Sequence, residues 1–456
     1  MVSFIDLIRL FLLSIIIVVS GCGGNDGDDD DEDNSTEDPV TDSRPFLMGS
    51  TPFSMRHNGR NIVMPDWQFE NMEDRDLLSL HADDFWGVPW DYCDATGCSN
   101  LPQAWVDQWQ QLANSANATG KSVYLALSPL EERIALAPNV LPDGTNQANW
   151  NSEIDANGCY LFDSDINAER YKASYITYLR YLIDLVDPDY LSPAVEMNIH
   201  FSKCPTQQSA WIAWYNDVHA TIKAAYPQLV VFPTFQMDFM YGIAVPEAAC
   251  SSGTTAECFE TRLIEALEIP ADRLAFSTYP AGWVYQADFN HSFPRDSLSI
   301  ASQLTTRKIW IAETGWLALP LLSSYAHGVN GSCGSSIFPE TLNIPDVGTI
   351  DVANDTAQNG YISWLLASAE ENNLEAVVWW LNRDYLDESV TGDESCPCEP
   401  AGNSTCLLLD DFYTIGGDYI ELLTRLFGNM ALRHYDGTPR PAHATWKTYL
   451  NKPYQP

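Results

Sequence analysis

The stretch "IWIAETGW", residues 309–316, alternates large apolar side chains and then ends in a carboxylate, Glu313, beside a glycine and a tryptophan. Short runs rich in β-branched and aromatic residues read as buried strands. An ionisable group at the carboxyl end of such a strand calls for a fold in which strand ends gather around one place. The rest of the chain decides whether such a place exists.

Runs of the same kind recur along the sequence: "LMGSTPF" (47–53), "LLSLHADDF" (77–85), "SVYLALSPL" (122–130), "LSPAVEMN" (191–198), "LVVFPTFQM" (229–237), "RLAFSTYP" (273–280), "KIWIAETGW" (308–316) and "EAVVWWLN" (375–382). Between them lie "AERYKASYITYLRYLIDLV", "QSAWIAWYNDVHATIKAAY" and "AQNGYISWLLASAEEN", in which apolar residues return every three or four positions, as on a helix face. Eight strands with helical crossovers are the count for an α/β chain closed into a (β/α)8 TIM barrel. A doubly wound open sheet is set aside, because no glycine-rich phosphate loop follows the first strand. One large barrel domain over 45–456 is predicted, since no second linker interrupts it.

A barrel places its chemistry at the carboxyl ends of the strands. Here those ends carry "STPF", "HADDF", Glu196, Tyr279-Pro280, Glu313 and Trp379-Trp380. Glu196 and Glu313 close the fourth and seventh strands, so their side chains are expected to converge across the mouth. Two carboxyls about 5 Å apart suit retaining glycoside hydrolysis. Burial and mutual repulsion are expected to raise the pKa of the acid partner.

These motifs resemble clan A of the glycoside hydrolases, retaining barrel enzymes with catalytic glutamates on strands four and seven. "IAETGW" is similar to that clan's nucleophile strand, "AVEMN" to its acid/base strand, "STYP" to its sixth and "VVWWLN" to its eighth. The tail "DGTPRPAHATWKTYL" resembles the closing segment of many such barrels. The resemblance implies that Glu313 is the nucleophile and Glu196 the acid/base. It further implies that Tyr279 hydrogen-bonds Glu313 and that Trp380 floors the sugar site.

The flavour is nearest to endo-β-1,4-galactanases and β-1,3-glucanase-like members. "HADDFWGVPW" echoes a galactanase motif, but on the second strand rather than the third. Two departures stand out. Val195 occupies the place of the clan's usual Asn, for which Asn198 is a substitute candidate, and no second-strand arginine matches. Among the 15 tryptophans, Trp86, Trp90, Trp283 and Trp316 fall near rim loops and are candidate sugar platforms. His81 and Asp84, with Asp83, are read as a hydrogen-bonded substrate subsite rather than a metal site.

The ends and the charge frame this domain. Residues 1–21 combine Arg9 with an apolar run of signal-peptide length, too short to span a bilayer comfortably. "VVSGC" resembles the lipobox of bacterial lipoproteins, which implies cleavage before a lipidated Cys22. Residues 22–44 then read as an acidic, extended tether. Of the net charge of −39, nine acidic residues lie between Asp26 and Asp38, which leaves about −30 for the remainder. Such a surface repels nucleic acid and anionic membranes.

Membrane contact is therefore expected only through the lipid anchor. The expected setting is the bacterial outer membrane, facing the periplasm or the cell exterior. A monomer acting on carbohydrate without a cofactor is expected. Apart from Cys22, ten of the 11 cysteines remain, which suits disulfides in an exported protein. Cys93–Cys98, Cys250–Cys258 and Cys159–Cys204 are the expected pairs, and Cys333, Cys396, Cys398 and Cys406 are left open. Alternatives to hydrolysis are a surface glycan-binding lipoprotein on a degenerate barrel, or a transglycosylase.

Overall fold

The computed structural model describes residues 43–52, 56–57, 62–63, 69–83, 86–147, 153–242, 255–281, 293–322, 336–338, 340–344, 348–387, 405–409 and 424–456. Eight parallel strands form its centre: β1 (Leu47–Ser50), β2 (Leu77–Asp83), β3 (Ser122–Leu127), β4 (Tyr190–Ser192), β5 (Val230–Val231 and Thr234–Gln236), β6 (Leu274–Thr278), β7 (Ile309–Thr314) and β8 (Ala376–Trp379). Each expected strand is present.

β5 decides that the sheet closes. Its first segment pairs with β4 and its second with β6. The ladder otherwise runs β4-β3-β2-β1-β8-β7-β6, so β5 joins the two ends into a ring. Pro233 lies at the hand-over between its segments, where a residue without an N–H removes no needed ladder bond. The fold is a (β/α)8 barrel.

Helices α1 (Gln103–Ala118), α2 (Ala168–Val186), α3 (Met197–Lys203), α4 (Gln208–Ala225), α5 (Met237–Met240), α6 (Thr255–Leu267), α7 (Ser297–Leu304), α8 (Asp355–Glu371) and α9 (Pro441–Leu450) accompany the strands. On α2 the buried stripe runs through Tyr171, Tyr175, Tyr178, Leu182 and Val186, the three- and four-residue spacing that seats a helix on a sheet. Asp187 ends it in a left-handed conformation, with its N–H on the Ile183 carbonyl. Asn354 caps α8 by accepting from the Ala357 N–H at 2.9 Å. Trp105, Trp109, Trp211 and Trp214 are buried packing residues on α1 and α4.

Alternation along the strands separates two cores. Leu47, Leu77, Tyr124, Val195, Phe232, Ala275, Trp310 and Val378 fill the barrel interior. Their neighbours face outward and join the helices in the larger cluster. Trp310 forms the centre of the interior, 5.7 Å from the Tyr124 ring and 5.2 Å from the Phe232 ring. Its indole N–H donates to Glu375 Oε2 at 2.6 Å, so its one polar atom is satisfied.

Helix α9 closes the outer ring beside the β1–β2 connection, where Trp446 Nε1 donates to the Asp74 carbonyl at 2.7 Å. The Asp74 carboxylate is itself buried, with Arg433 Nη2 at 2.8 Å and His443 Nε2 at 3.1 Å. A second buried pair joins Arg440 Nη2 to Asp384 Oδ2 at 2.6 Å, while Nη1 reaches Asp355 at 2.8 Å. At the amino-terminal face of the strands, Arg44 N donates to the Pro453 carbonyl and Gln455 N to the Arg44 carbonyl, both at 3.0 Å.

Disulfides Cys93–Cys98 and Cys159–Cys204 are present as expected. Cys258 and Cys406 are disulfide-bonded too. Cys250, Cys333, Cys396 and Cys398 lie outside the described residues. No helix among the described residues is long and apolar enough to cross a membrane.

Candidate active site

Strict alternation on β7 runs against an inward Glu313. Trp310 and Ala312 face the interior, so the next inward residue would be Thr314. The register corrects this: Phe276 pairs with Ile311, and then Ser277 pairs with Glu313, so β7 carries one extra residue. The same slip separates Ile311 and Thr314 against β8. This bulge turns Glu313 into the mouth and sends Thr314 outward, where its hydroxyl lies 2.6 Å from the α8 residue Tyr361. Gly315 follows because a Cβ there would meet Met430 Sδ at 3.0 Å and the Tyr279 ring at 3.4 Å.

Glu196 arrives differently. The chain leaves β4 through Pro193, Ala194 and Val195 and enters α3 with Glu196 at its N-cap, φ 51°. Its N–H donates to Thr234 Oγ1 of β5 at 2.7 Å. A left-handed glutamate held by a neighbouring strand is strained, and strain of this kind collects at functional sites. Asp83 (φ 46°) and Leu381 (φ 70°) show the same conformation at the ends of β2 and β8.

The side chains form one connected set. Tyr279 donates its hydroxyl to Glu313 Oε1 in a short hydrogen bond. His81 Nδ1 lies 3.1 Å from Glu313 Oε2, and its Nε2 lies 3.9 Å from Asp83 Oδ2. Arg133, from the loop after β3, donates to Asp83 through both Nη atoms, at 3.1 and 2.6 Å. The same Nη2 reaches Glu196 Oε2 at 3.2 Å. Ser277 Oγ donates to Glu196 Oε1 at 2.7 Å. Because Ser277 is also the register partner of Glu313, the two glutamates meet over one mouth.

The electrostatics follow from burial. Glu313 is only 7 % exposed. Burial raises its pKa well above the ordinary carboxylate range, and the charge of Glu196 raises it further, against the Tyr279 hydrogen bond and Arg133. Glu313, expected to be the nucleophile, is thus itself a raised carboxyl. Burial also lowers His81 to about 4, partly offset by Asp83, so its imidazole is neutral near pH 7.

Several expected site residues lie elsewhere. Asn198 is not a substrate reader: its Nδ2 donates to the Gln236 carbonyl at 2.9 Å and its Oδ1 accepts from the Gln236 N–H at 2.7 Å, so it pins α3 to β5. Trp90 is not a platform, being 0 % exposed, with its indole N–H on the Ala137 carbonyl at 2.7 Å. Trp316 is 4 % exposed and donates to the Val352 carbonyl, so it too is core. Trp86 is half-buried, edge-on to Trp109 at 4.6 Å.

Trp380, 6 % exposed, packs beside the site, edge-on to His81 at 5.2 Å and to Phe427 at 5.5 Å, so only an edge of its ring reaches the mouth. Val195 is buried in the barrel interior and offers nothing polar beside Glu196. Cys22, Asp84 and Trp283 lie outside the described residues.

Sequence reasoning missed Arg133, Ser277 and Phe427. Ser277 carried a signal, since it precedes Thr278-Tyr279 at an inward position of β6. Among the described residues no group of His, Cys, Asp and Glu is arranged to hold a metal ion. A separate small pocket lies outside the barrel between Met237, Asp238, Phe293, Tyr361 and Trp364. It contains neither glutamate, and the convergence of charged groups makes the mouth the candidate site.

No family model and no curated protein matches the chain. Solved structures similar to it include a GH53 catalytic domain from Ignisphaera aggregans, at 14 % identity and a TM-score of 0.46, covering 90 % of this chain and 97 % of that one. A GH5_18 structure from Bifidobacterium longum subsp. longum is 12 % identical with a TM-score of 0.46, covering 90 % and 80 %. Native xylanase 10B from Thermotoga maritima is 11 % identical with a TM-score of 0.46, covering 90 % and 95 %. Likeness at this level concerns architecture, which the closed ring of strands establishes by itself.

Proposed function

We propose that the protein is a retaining glycoside hydrolase acting on a β-linked poly- or oligosaccharide. The observation that carries this reading is the meeting of Glu196 and Glu313 at one mouth, linked through Ser277. Glu196 protonates the leaving glycosidic oxygen while Glu313 attacks the anomeric carbon. Water, deprotonated by Glu196, then releases the sugar. Tyr279 and His81 orient Glu313, and Trp380 offers the edge of its ring to the sugar. No cofactor enters these steps.

Glu313 must be ionised to attack, so its raised pKa confines attack to pH above the ordinary carboxylate range.

The test is direct. Wild type, Glu313→Gln and Glu196→Gln are incubated with β-glucans, galactans, mannans and xylans, and new reducing ends are measured. Wild type should release them from one polymer class and both variants should not. A second reading, a non-catalytic glycan-binding protein, is favoured by Val195, which leaves no amide beside Glu196. Binding by wild type without release of reducing ends establishes that reading instead. Transfer products longer than the substrate would identify a transglycosylase.

We further propose that residues 1–21 are a signal peptide and that Cys22 carries lipid, with the acidic stretch after it as a tether from the bacterial outer membrane that stops short of Arg44, a buried residue of the barrel floor. The lipobox-like "VVSGC" and the acidic run support this. Labelling with an alkyne fatty acid should mark wild type and not Cys22→Ala, and only wild type should fractionate with membranes.

A further inference from the structure

Arg133 has no counterpart in the motifs that pointed to this site, yet it touches the acid/base candidate. It sits in a turn joining two short antiparallel segments, Leu130–Glu131 and Ala135–Leu136. Ile134 N–H bonds to the Glu131 carbonyl at 3.0 Å across that turn. Its central residues, Glu132 and Arg133, have φ values of 48° and 63°. Two consecutive left-handed residues make a type I′ turn, a conformation that favours Asn-Gly and strains Glu-Arg. Something must hold it.

Helix α3 does. His200 Nδ1 donates to the Arg133 carbonyl at 2.8 Å, and Lys203 Nζ to the Glu132 carbonyl at 3.1 Å. The Cys159–Cys204 disulfide fastens the end of that helix, and the Tyr160 N–H bonds back to the Ile134 carbonyl at 2.8 Å. The helix that begins with Glu196 thus grips the turn that carries Arg133. The guanidinium, fixed by the fork–fork pair with Asp83, returns to Glu196.

Resting on the hydrolase reading above, we propose that Arg133 is a positioning residue that holds the Glu196 carboxylate in the orientation needed to deprotonate water in the second half-reaction. In that step the water oxygen bonds to the anomeric carbon as its proton passes to Glu196. The bond from the anomeric carbon to the Glu313 oxygen breaks, and its electron pair returns to Glu313. Ser277 fixes one Glu196 oxygen and Arg133 the other, so the carboxylate plane is set from both sides.

The experiment uses the full chain and 2,4-dinitrophenyl β-glycosides of glucose, galactose, mannose and xylose, with wild type, Arg133→Met and Arg133→Lys. Dinitrophenolate departs without a proton, so the first step needs no help from Glu196, whereas release of the sugar does. For Arg133→Met, kcat should fall about 10-fold or more, a part of the roughly 10²–10⁴-fold that acid–base assistance contributes, while kcat/KM changes little.

Azide, an anion that attacks without losing a proton, should restore kcat and yield a glycosyl azide. Arg133→Lys, which keeps the charge without the fork, should lie between the two. Equal losses of kcat and kcat/KM without azide rescue, in variants with wild-type circular dichroism, would overturn this inference and leave the hydrolase reading standing. Misfolding of both variants would show Arg133 to be a structural residue and would overturn it likewise. Wild type inert on every glycoside would overturn the hydrolase reading and this inference together.

Discussion

Ser277 and Glu313 face each other in the β6–β7 register, yet the Ser277 hydroxyl bonds not to Glu313 but to Glu196, at 2.7 Å. A small side chain on β6 therefore connects residues that end the fourth and seventh strands. The ring closure through β5 makes this possible, because it brings β4 and β6 to either side of one interrupted strand.

The first prediction concerns pH. Glu313 is raised above the ordinary carboxylate range by burial and then by Glu196. As nucleophile it is active when ionised, so activity is present above its folded pKa and is lost as pH falls through it. The acid limb of the wild-type kcat/KM profile should therefore lie above the usual glutamate value. Glu196→Gln removes one of the raising charges, and a carboxyl-carbon NMR titration of Glu313 should shift downward. An unchanged titration would sever the electrostatic link between the two.

A second prediction concerns the barrel interior. Trp310→Ala removes the ring on which Tyr124, Tyr190 and Phe232 close and leaves Glu375 without its indole donor. The expected loss is about 3–5 kcal/mol, read from denaturant unfolding. Trp310→Phe should recover more than half of it.

The third concerns Asp74. Burial raises its pKa, but hydrogen bonds from His443 and Arg433 outweigh this and hold it far below the usual range. A depressed carboxylate contributes stability above its unfolded pKa, which is lost as pH falls toward the folded one. Asp74→Asn should cost about 3–5 kcal/mol near neutrality, since the Arg433 guanidinium loses its buried carboxylate partner. The gap from wild type should narrow below about pH 4, near the unfolded carboxyl value. Urea unfolding at pH 7 and pH 3 measures both.

The fourth concerns the Cys159–Cys204 bridge, which closes a 45-residue separation around α2 and β4. Replacing both cysteines by serine should lower stability by about 2–4 kcal/mol, read from thermal or urea unfolding. The pair Cys93–Cys98, five residues apart, should matter less.

Much of the fold was legible because buried parallel strands must be apolar on both faces, which leaves continuous runs such as "IWIA" and "AVVWW" standing out. Helix α2 spans the segment read from the sequence, Ala168–Val186, since a long tyrosine- and leucine-rich face at helical spacing has to be buried. The positions of Glu196 and Glu313 followed from strand ends.

Their orientation did not follow. A β-bulge is a matter of register with β6 and β8, and nothing local in "IAET" announces it. Arg133 was invisible for a related reason: its turn is left-handed at Glu132 and Arg133, residues that ordinarily signal no turn, and its partners lie 50 and 63 residues away. Trp90 and Trp316 were misread because closeness to a rim in sequence does not say which way a ring turns, and both indoles find carbonyls in the core.

The pairing of Arg44 with Pro453 and Gln455 ties the first and last segments of the barrel domain together on the floor opposite the mouth. A domain fastened at its floor in this way leaves the rim that carries Glu196 and Glu313 clear of the closure.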